Sequence, residues 1–130
     1  MPGRKNPGRG RDRKRRQRVM SFLQPCLLFM LTRGAAHGYS LLNGIDEFGF
    51  DQDQFDVSLI YRALRYMEEL GWVHSLWEDD HQGPRRRVYQ ILPEGETRLF
   101  EWSVELQRTR KDIDVFLHAY KYHQLSNIIR

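Results

Sequence analysis

Val57-Ser58-Leu59-Ile60-Tyr61-Arg62-Ala63-Leu64-Arg65-Tyr66-Met67-Glu68-Glu69-Leu70-Gly71 reads as one amphipathic helix with two separate faces. Val57, Ile60, Leu64, Met67 and Leu70 recur at helical spacing and form an apolar stripe. Ser58, Tyr61, Arg62 and Arg65 fall at i, i+3, i+4 and i+7, so they share a second face. That face offers a hydroxyl, a phenol and two cations, and its first half holds no carboxylate to repel a polyanion. It suits a DNA groove. Taken alone, such a face is more often the solvated side of an ordinary core helix, so the neighbouring segments decide.

Upstream, Asp56 is a good N-cap for this helix and Gly71 ends it. The polar stretch Phe50–Phe55 reads as a turn. Before it, a helix is predicted from about Tyr39 to Phe48, burying Leu41, Leu42 and Ile45 and ending at Gly49. Ser21–Thr32 is dense in Leu, Phe and Met and reads as a buried helix. Ser21 with Gln24 fits a capping box, Pro25 is tolerated in the first turn, and Gly34 is a stop. This is a helix–turn–helix with a somewhat long turn.

Downstream, Trp72–Trp77 and Arg86–Leu92 are short β-rich runs joined by the polar link Glu78–Arg85, which contains Gly83-Pro84. A hairpin after three helices describes a winged helix, whose third helix enters the major groove while the wing touches the adjacent backbone. Arg85, Arg86 and Arg87 stand where the loop meets the returning strand, within reach of phosphates. A charge triplet is usually a solvated edge, but beside Arg62 and Arg65 the DNA reading prevails. The expected fold class is therefore mainly α (α+β): a winged helix-turn-helix with a two-stranded wing and a long C-terminal dimerisation helix.

That last helix begins at Pro93 and runs to about Tyr122, roughly 40 Å at 1.5 Å per residue. Leu99, Trp102, Leu106, Thr109, Ile113, Phe116 and Tyr120 follow alternating three- and four-residue steps, a heptad seam with one polar member. A winged-helix body cannot cover so long a seam, so a homodimer is expected. Its interface would hold Leu99, Trp102, Leu106, Ile113, Phe116 and Tyr120. Two copies about a two-fold axis would meet half-sites one DNA turn, roughly 34 Å, apart. The expected organisation is a basic tail over 1–20, a DNA-binding domain over 21–92, a dimerisation helix over 93–123 and a tail over 124–130.

Charge is distributed unevenly along the chain. Residues 1–18 hold nine Lys or Arg against Asp12 alone, so of the net +4 they carry +8 and the rest −4. The tail is rich in Gly and Pro, lacks a hydrophobic stripe and should be disordered when free, adding salt-sensitive, sequence-independent affinity for nucleic acid. It lacks the form of a secretory signal, and Phe22–Leu31 is far shorter than the ~20 apolar residues that span a bilayer. With Cys26 alone there is no intrachain disulfide or ordinary zinc cluster; Cys26 reads as a small buried hydrophobe in a reducing cytoplasm. Asp51-Gln52-Asp53 starts like a calcium loop, but Phe55 and Arg62 stand where oxygen ligands belong. No activated nucleophile, phosphate loop or metal constellation is apparent, so neither enzyme activity nor a cofactor is expected.

Together these segments resemble the PadR-like transcriptional regulators over about Phe22 to Tyr120. The resemblance rests on His37-Gly38-Tyr39, Ser58-Leu59-Ile60-Tyr61-Arg62-Ala63-Leu64 and Glu69-Leu70-Gly71-Trp72-Val73. It continues through Trp77, Gly83-Pro84-Arg85-Arg86, Tyr89 and Pro93-Glu94-Gly95. It implies a cytoplasmic homodimer of the smaller subtype, usually a repressor, with no membrane association. Tyr39 would contact backbone phosphate, Ser58, Tyr61 and Arg62 the DNA surface, and Arg85 and Arg86 would serve the wing. Ile60 and Leu92, the latter in place of a capping Thr, depart from the family pattern. Some members stack a flat small-molecule effector on an aromatic of the last helix. Leu106 aligns with that position; Trp102, one turn earlier, is a substitute for the aromatic, but a core or seam role is the better reading for it.

The function expected is a sequence-specific, DNA-binding, ligand-responsive repressor that acts as a homodimer on double-stranded DNA. The competing reading is a winged-helix protein-interaction module that touches nucleic acid only through its basic tail. The −4 of the remaining chain gives it weight. A third reading has the tail on RNA or an anionic surface while the domain only dimerises.

Overall fold

The computed structural model describes residues 22–78 and 85–129. The basic tail, Ser21 of the expected capping box, most of the wing loop and Arg130 lie outside the described residues. Helix α1 covers residues 22–32 and buries Leu23, Leu27, Leu28 and Leu31. Cys26 is buried beside them, and burial lifts its thiol to about 11, so it stays protonated.

Strand β1 (Ala36–His37) leads directly into α2 (Gly38–Gly44). The single helix expected over Tyr39–Phe48 is in fact two pieces, because Gly44 leaves helical geometry at φ −99°, ψ 0° and Ile45–Phe48 tighten into a 3-10 turn. Leu41 and Ile45 still reach the core. The Phe50–Phe55 turn contains a short 3-10 segment, Gln52–Gln54, where the Asp51 carboxylate accepts from the Asp53 N–H at 3.0 Å. Phe50 anchors this turn between Phe22 and Phe55, with ring centroids 5.6 and 5.3 Å away.

Helix α3 spans Val57–Glu69 and sends Ile60, Ala63, Leu64 and Met67 into the core, the middle of the expected stripe. Its ends differ from expectation: Val57 is only half-buried and Leu70 is exposed, because the chain turns away at Gly71 (φ +80°), a conformation that favours glycine. Asp56 caps the first turn as expected, its carboxylate accepting from Ser58 N at 3.1 Å. The backbone hydrogen bond from Ser58, then its hydroxyl, hold the Asp56 carboxyl below the usual range. A carboxyl lowered on folding stabilises the native state above its unfolded pKa, and this is lost as pH falls through the folded value. Asp56→Ala should therefore lower the unfolding midpoint by a few degrees near neutral pH. Below the folded pKa of Asp56, calorimetry should find no difference.

Strands β2 (Val73–Glu78) and β3 (Arg86–Ile91) form the hairpin, with Val73 opposite Ile91 and Glu78 opposite Arg86. The two-stranded wing expected is extended: β1 joins its other edge, Ala36 opposite Tyr89, giving an antiparallel sheet in the order β1-β3-β2. Two residues suffice for β1 because Tyr89 and Val73, on the sheet's inner face, are buried against α1 and α3. The Glu68 carboxylate ties α3 to β2, accepting from both the N–H and the hydroxyl of Ser75 at 2.7 Å.

Helix α4 spans Pro93–Ile129, 37 residues, roughly 55 Å at 1.5 Å per residue. It passes the end expected near residue 123, so residues 124–129 are helix rather than tail. No Pro or Gly occurs after Gly95, and nothing stops it. At its root the Leu92 N–H donates to Trp72 O at 2.9 Å and Gly95 is buried against the same turn. Leu99 and Trp102, assigned above to the dimer seam, pack on their own body instead. From Glu105 to Ile129 the side chains stand clear of it, apart from the partly covered Ser126.

Candidate nucleic-acid interface

The apolar stripe of α3 fixes the helix by burial, which turns its other face outward without further help. Ser58, Arg62 and Arg65 are exposed there, and among the described residues neither Arg62 nor Arg65 has an ion-pair partner. Ser58 also serves the cap at Asp56. Glu68 is tied to Ser75 of β2, whereas Glu69, four residues after Arg65, is exposed at the C-terminal end of this face.

Tyr61 differs from the expectation of a surface contact. Its ring lies against Gly38, where a Cβ would come within 2.5 Å of Tyr61 Cζ. Burial raises the Tyr61 pKa, helped by the nearby phenols of Tyr39 and Tyr89; the Gly38 N–H and the Arg86 charge act the other way. Tyr61 is therefore first a spacer that sets α2 on α3. Tyr39, by contrast, is 61% exposed, with its ring edge-on to Tyr61 at 6.3 Å.

The wing closes one side of this surface. His37, Tyr39, Ser40, Asn43, Tyr61, Trp77 and Arg85–Arg87 line a cleft of about 550 Å³ between α2, α3 and the hairpin. His37 Nε2 and Glu78 Oε2, 2.5 Å apart, join β1 to the far end of β2 and so hold the hairpin against the start of α2. Arg87 and Arg85 lie over the Trp77 ring, 5.0 and 5.2 Å from its centroid. Sequence reading thus placed Tyr39, Tyr61 and all three wing arginines in one neighbourhood. It missed Trp77, Ser40, Asn43 and the His37–Glu78 bond. The first was legible in principle, since any hairpin joining these two runs brings Trp77, at the end of the first, close to the arginines that begin the second.

Of the two readings of Trp102, the core role fits the geometry. Arg98 covers the Trp102 ring at 4.0 Å and Trp72 meets it edge-on at 5.5 Å, so Trp102 anchors α4 rather than offering an open face. Leu106 is 40% exposed and lies beyond that anchor. Among the described residues, no three His, Cys, Asp or Glu are grouped to hold a metal ion. None of the described helices is long and apolar enough to cross a membrane.

Comparison with known proteins agrees with this geometry. The model of the transcriptional regulator PadR-like family matches residues 27–101, from α1 to the root of α4. A protein of known structure from Thermoplasma acidophilum, described as a candidate transcriptional regulator, is 30% identical (TM-score 0.66; 78% of this chain and 95% of that one). A PadR-like regulator from Bacillus cereus is similar in fold (22% identity, TM-score 0.66; 78% of this chain, 96% of that one). So is a transcriptional regulator from Clostridium thermocellum (22%, TM-score 0.66; 77% and 94%). A search of curated proteins found no match. With the family model covering more than half of its length, this chain belongs to the PadR-like family of transcriptional regulators, DNA-binding proteins that are not enzymes.

Proposed function

We propose that the protein is a homodimeric, ligand-responsive repressor that reads an operator with α3 and grips the flanking backbone with the wing. Regulators of this family are generally DNA-binding proteins, often ligand-responsive repressors acting as dimers. The observation that carries the reading is that Tyr39, Tyr61 and the wing arginines line one cleft, while the helix that supplies Tyr61 also exposes Arg62 and Arg65, neither of which has an ion-pair partner among the described residues. In this reading Arg62, Arg65 and Ser58 face base edges. Tyr39, Arg85, Arg86 and Arg87 face phosphates, which position the protein without reading sequence. Tyr61 acts through its hold on α2. The exposed seam from Leu106 through Ile113, Phe116 and Tyr120 meets the second copy, and a small effector acts on that seam near Leu106. The DNA-binding unit takes residues 21–92, with the dimerisation helix after it and the basic tail before it. The protein works in the cytoplasm.

The test is a titration of labelled duplex carrying the protein's own upstream region against a scrambled duplex. Arg62→Ala should weaken specific binding roughly tenfold to a hundredfold and leave scrambled-duplex binding nearly unchanged, as expected for a base-reading arginine. Deleting residues 1–18 should weaken both duplexes alike and flatten the salt dependence. If Arg62→Ala leaves specific binding intact while the deletion abolishes it, the domain is an interaction module and only the tail meets nucleic acid.

A further inference from the structure

Along the inner face of the hairpin, opposed residues run Val73 with Ile91, Ser75 with Tyr89, and Trp77 with Arg87. Side chains directly opposite in an antiparallel pair share a face, and a residue two positions away shares it too. The row that begins as core at Val73 and Tyr89 therefore ends at a Trp flanked by Arg87 and Arg85. Trp77 is 50% exposed, and little of its ring serves the core. Arg86 lies on the other face, opposite Glu78, whose bond to His37 fixes the end of the strand.

We propose that Trp77 is the positioning residue of the wing: its indole holds Arg87, the residue opposite it in the hairpin, in the orientation that meets DNA backbone phosphates. The proposal rests on the DNA-binding reading above and adds a division of labour to it. A guanidinium lying on an aromatic face uses its flat side there and leaves its N–H edge free for bidentate bonds to phosphate. Arg87 lies within the ~6 Å at which a cation is attracted by an indole ring. An arginine on a hairpin end without such a support spreads over many rotamers, and each phosphate contact must then overcome that freedom. Trp77 removes that freedom before DNA arrives.

The experiment measures affinity for the upstream-region duplex across a range of salt, with Trp77→Ala, Trp77→Phe, Arg87→Ala and the Trp77→Ala/Arg87→Ala pair in the full chain. Trp77→Ala removes no charge. It should nonetheless weaken binding roughly tenfold and make the slope of log K against log salt shallower by about one, as Arg87→Ala does. Trp77→Phe should restore most of both, and the double variant should be nearly as strong as Arg87→Ala alone. The slope does not depend on the active fraction, so partial unfolding cannot imitate the result. An unchanged slope with weaker binding would assign the ring a direct or purely structural role and overturn the proposal. So would a double variant whose loss is the product of the two single losses. Failure of the unaltered protein to bind any duplex overturns the DNA reading and this proposal together; binding with Trp77→Ala unaffected overturns this proposal alone.

Discussion

Gly95→Ala is expected to destabilise the protein by about 1–3 kcal/mol, the range for overpacking a closed site. A Cβ at this position would fall 2.2 Å from the Trp72 carbonyl oxygen and 2.9 Å from Ile91 Cγ1. Ile91 can adjust; the carbonyl cannot, because it accepts the Leu92 N–H at 2.9 Å and lies in the turn that closes α3. Relief must therefore come from lifting the root of α4 away from the body, which also loosens Trp102 from Trp72. Helix propensity alone has the opposite sign, favouring Ala over Gly by up to about 1 kcal/mol. The sign of the change in a denaturant titration is thus decisive. A stabilised variant would mean that α4 does not seat on Trp72 as described.

Phe116→Glu is expected to leave the body folded but to abolish the dimer. Phe116 is 65% exposed and stacked on Tyr120 with ring centroids 6.3 Å apart, far along α4 from the anchor at Trp102. Its loss removes no contact within the winged-helix body. A carboxylate in a heptad seam would be buried uncompensated in an apolar setting. Sedimentation at micromolar concentration should change from dimer to monomer. Affinity for duplex holding both half-sites should fall on the order of a hundredfold or more, because the second head no longer binds at a high effective concentration. A monomeric unaltered protein, or a variant that stays dimeric, would remove α4 from the interface.

The elements that sequence patterning located well are those governed by burial. Ile60, Leu64 and Met67 repeat at the helical period because one side of α3 meets the core, and the same logic placed α1 and the hairpin. The cap at Asp56 and the stop at Gly71 were legible because each reflects local backbone chemistry. Contacts set by tertiary geometry were not. Nothing in Gly38 or Tyr61 as residue types announces that one ring fills the space left by the missing side chain. β1 is two residues long, too short for any alternation, and exists only because Tyr89 and Val88 offer partners. The seam on α4 was assigned to the dimer from Leu99 onward, yet Leu99 and Trp102 serve the body while the later members stand free. Periodicity shows which residues share a face but not which neighbour that face meets.

The links among α2, α3 and the hairpin have a mechanical meaning. Gly38 leaves no play against Tyr61, Glu68 grips Ser75, and His37 is bonded to Glu78, so the three elements are tied into one head, which under the proposed function is the part that meets DNA. A head tied in this way can adapt little to its target by changing its own shape. In a two-headed regulator, tolerance to the spacing of half-sites would then reside in the stretch of α4 beyond Trp102. A signal that bends or slides that stretch would change which operators fit without altering a single residue that touches a base.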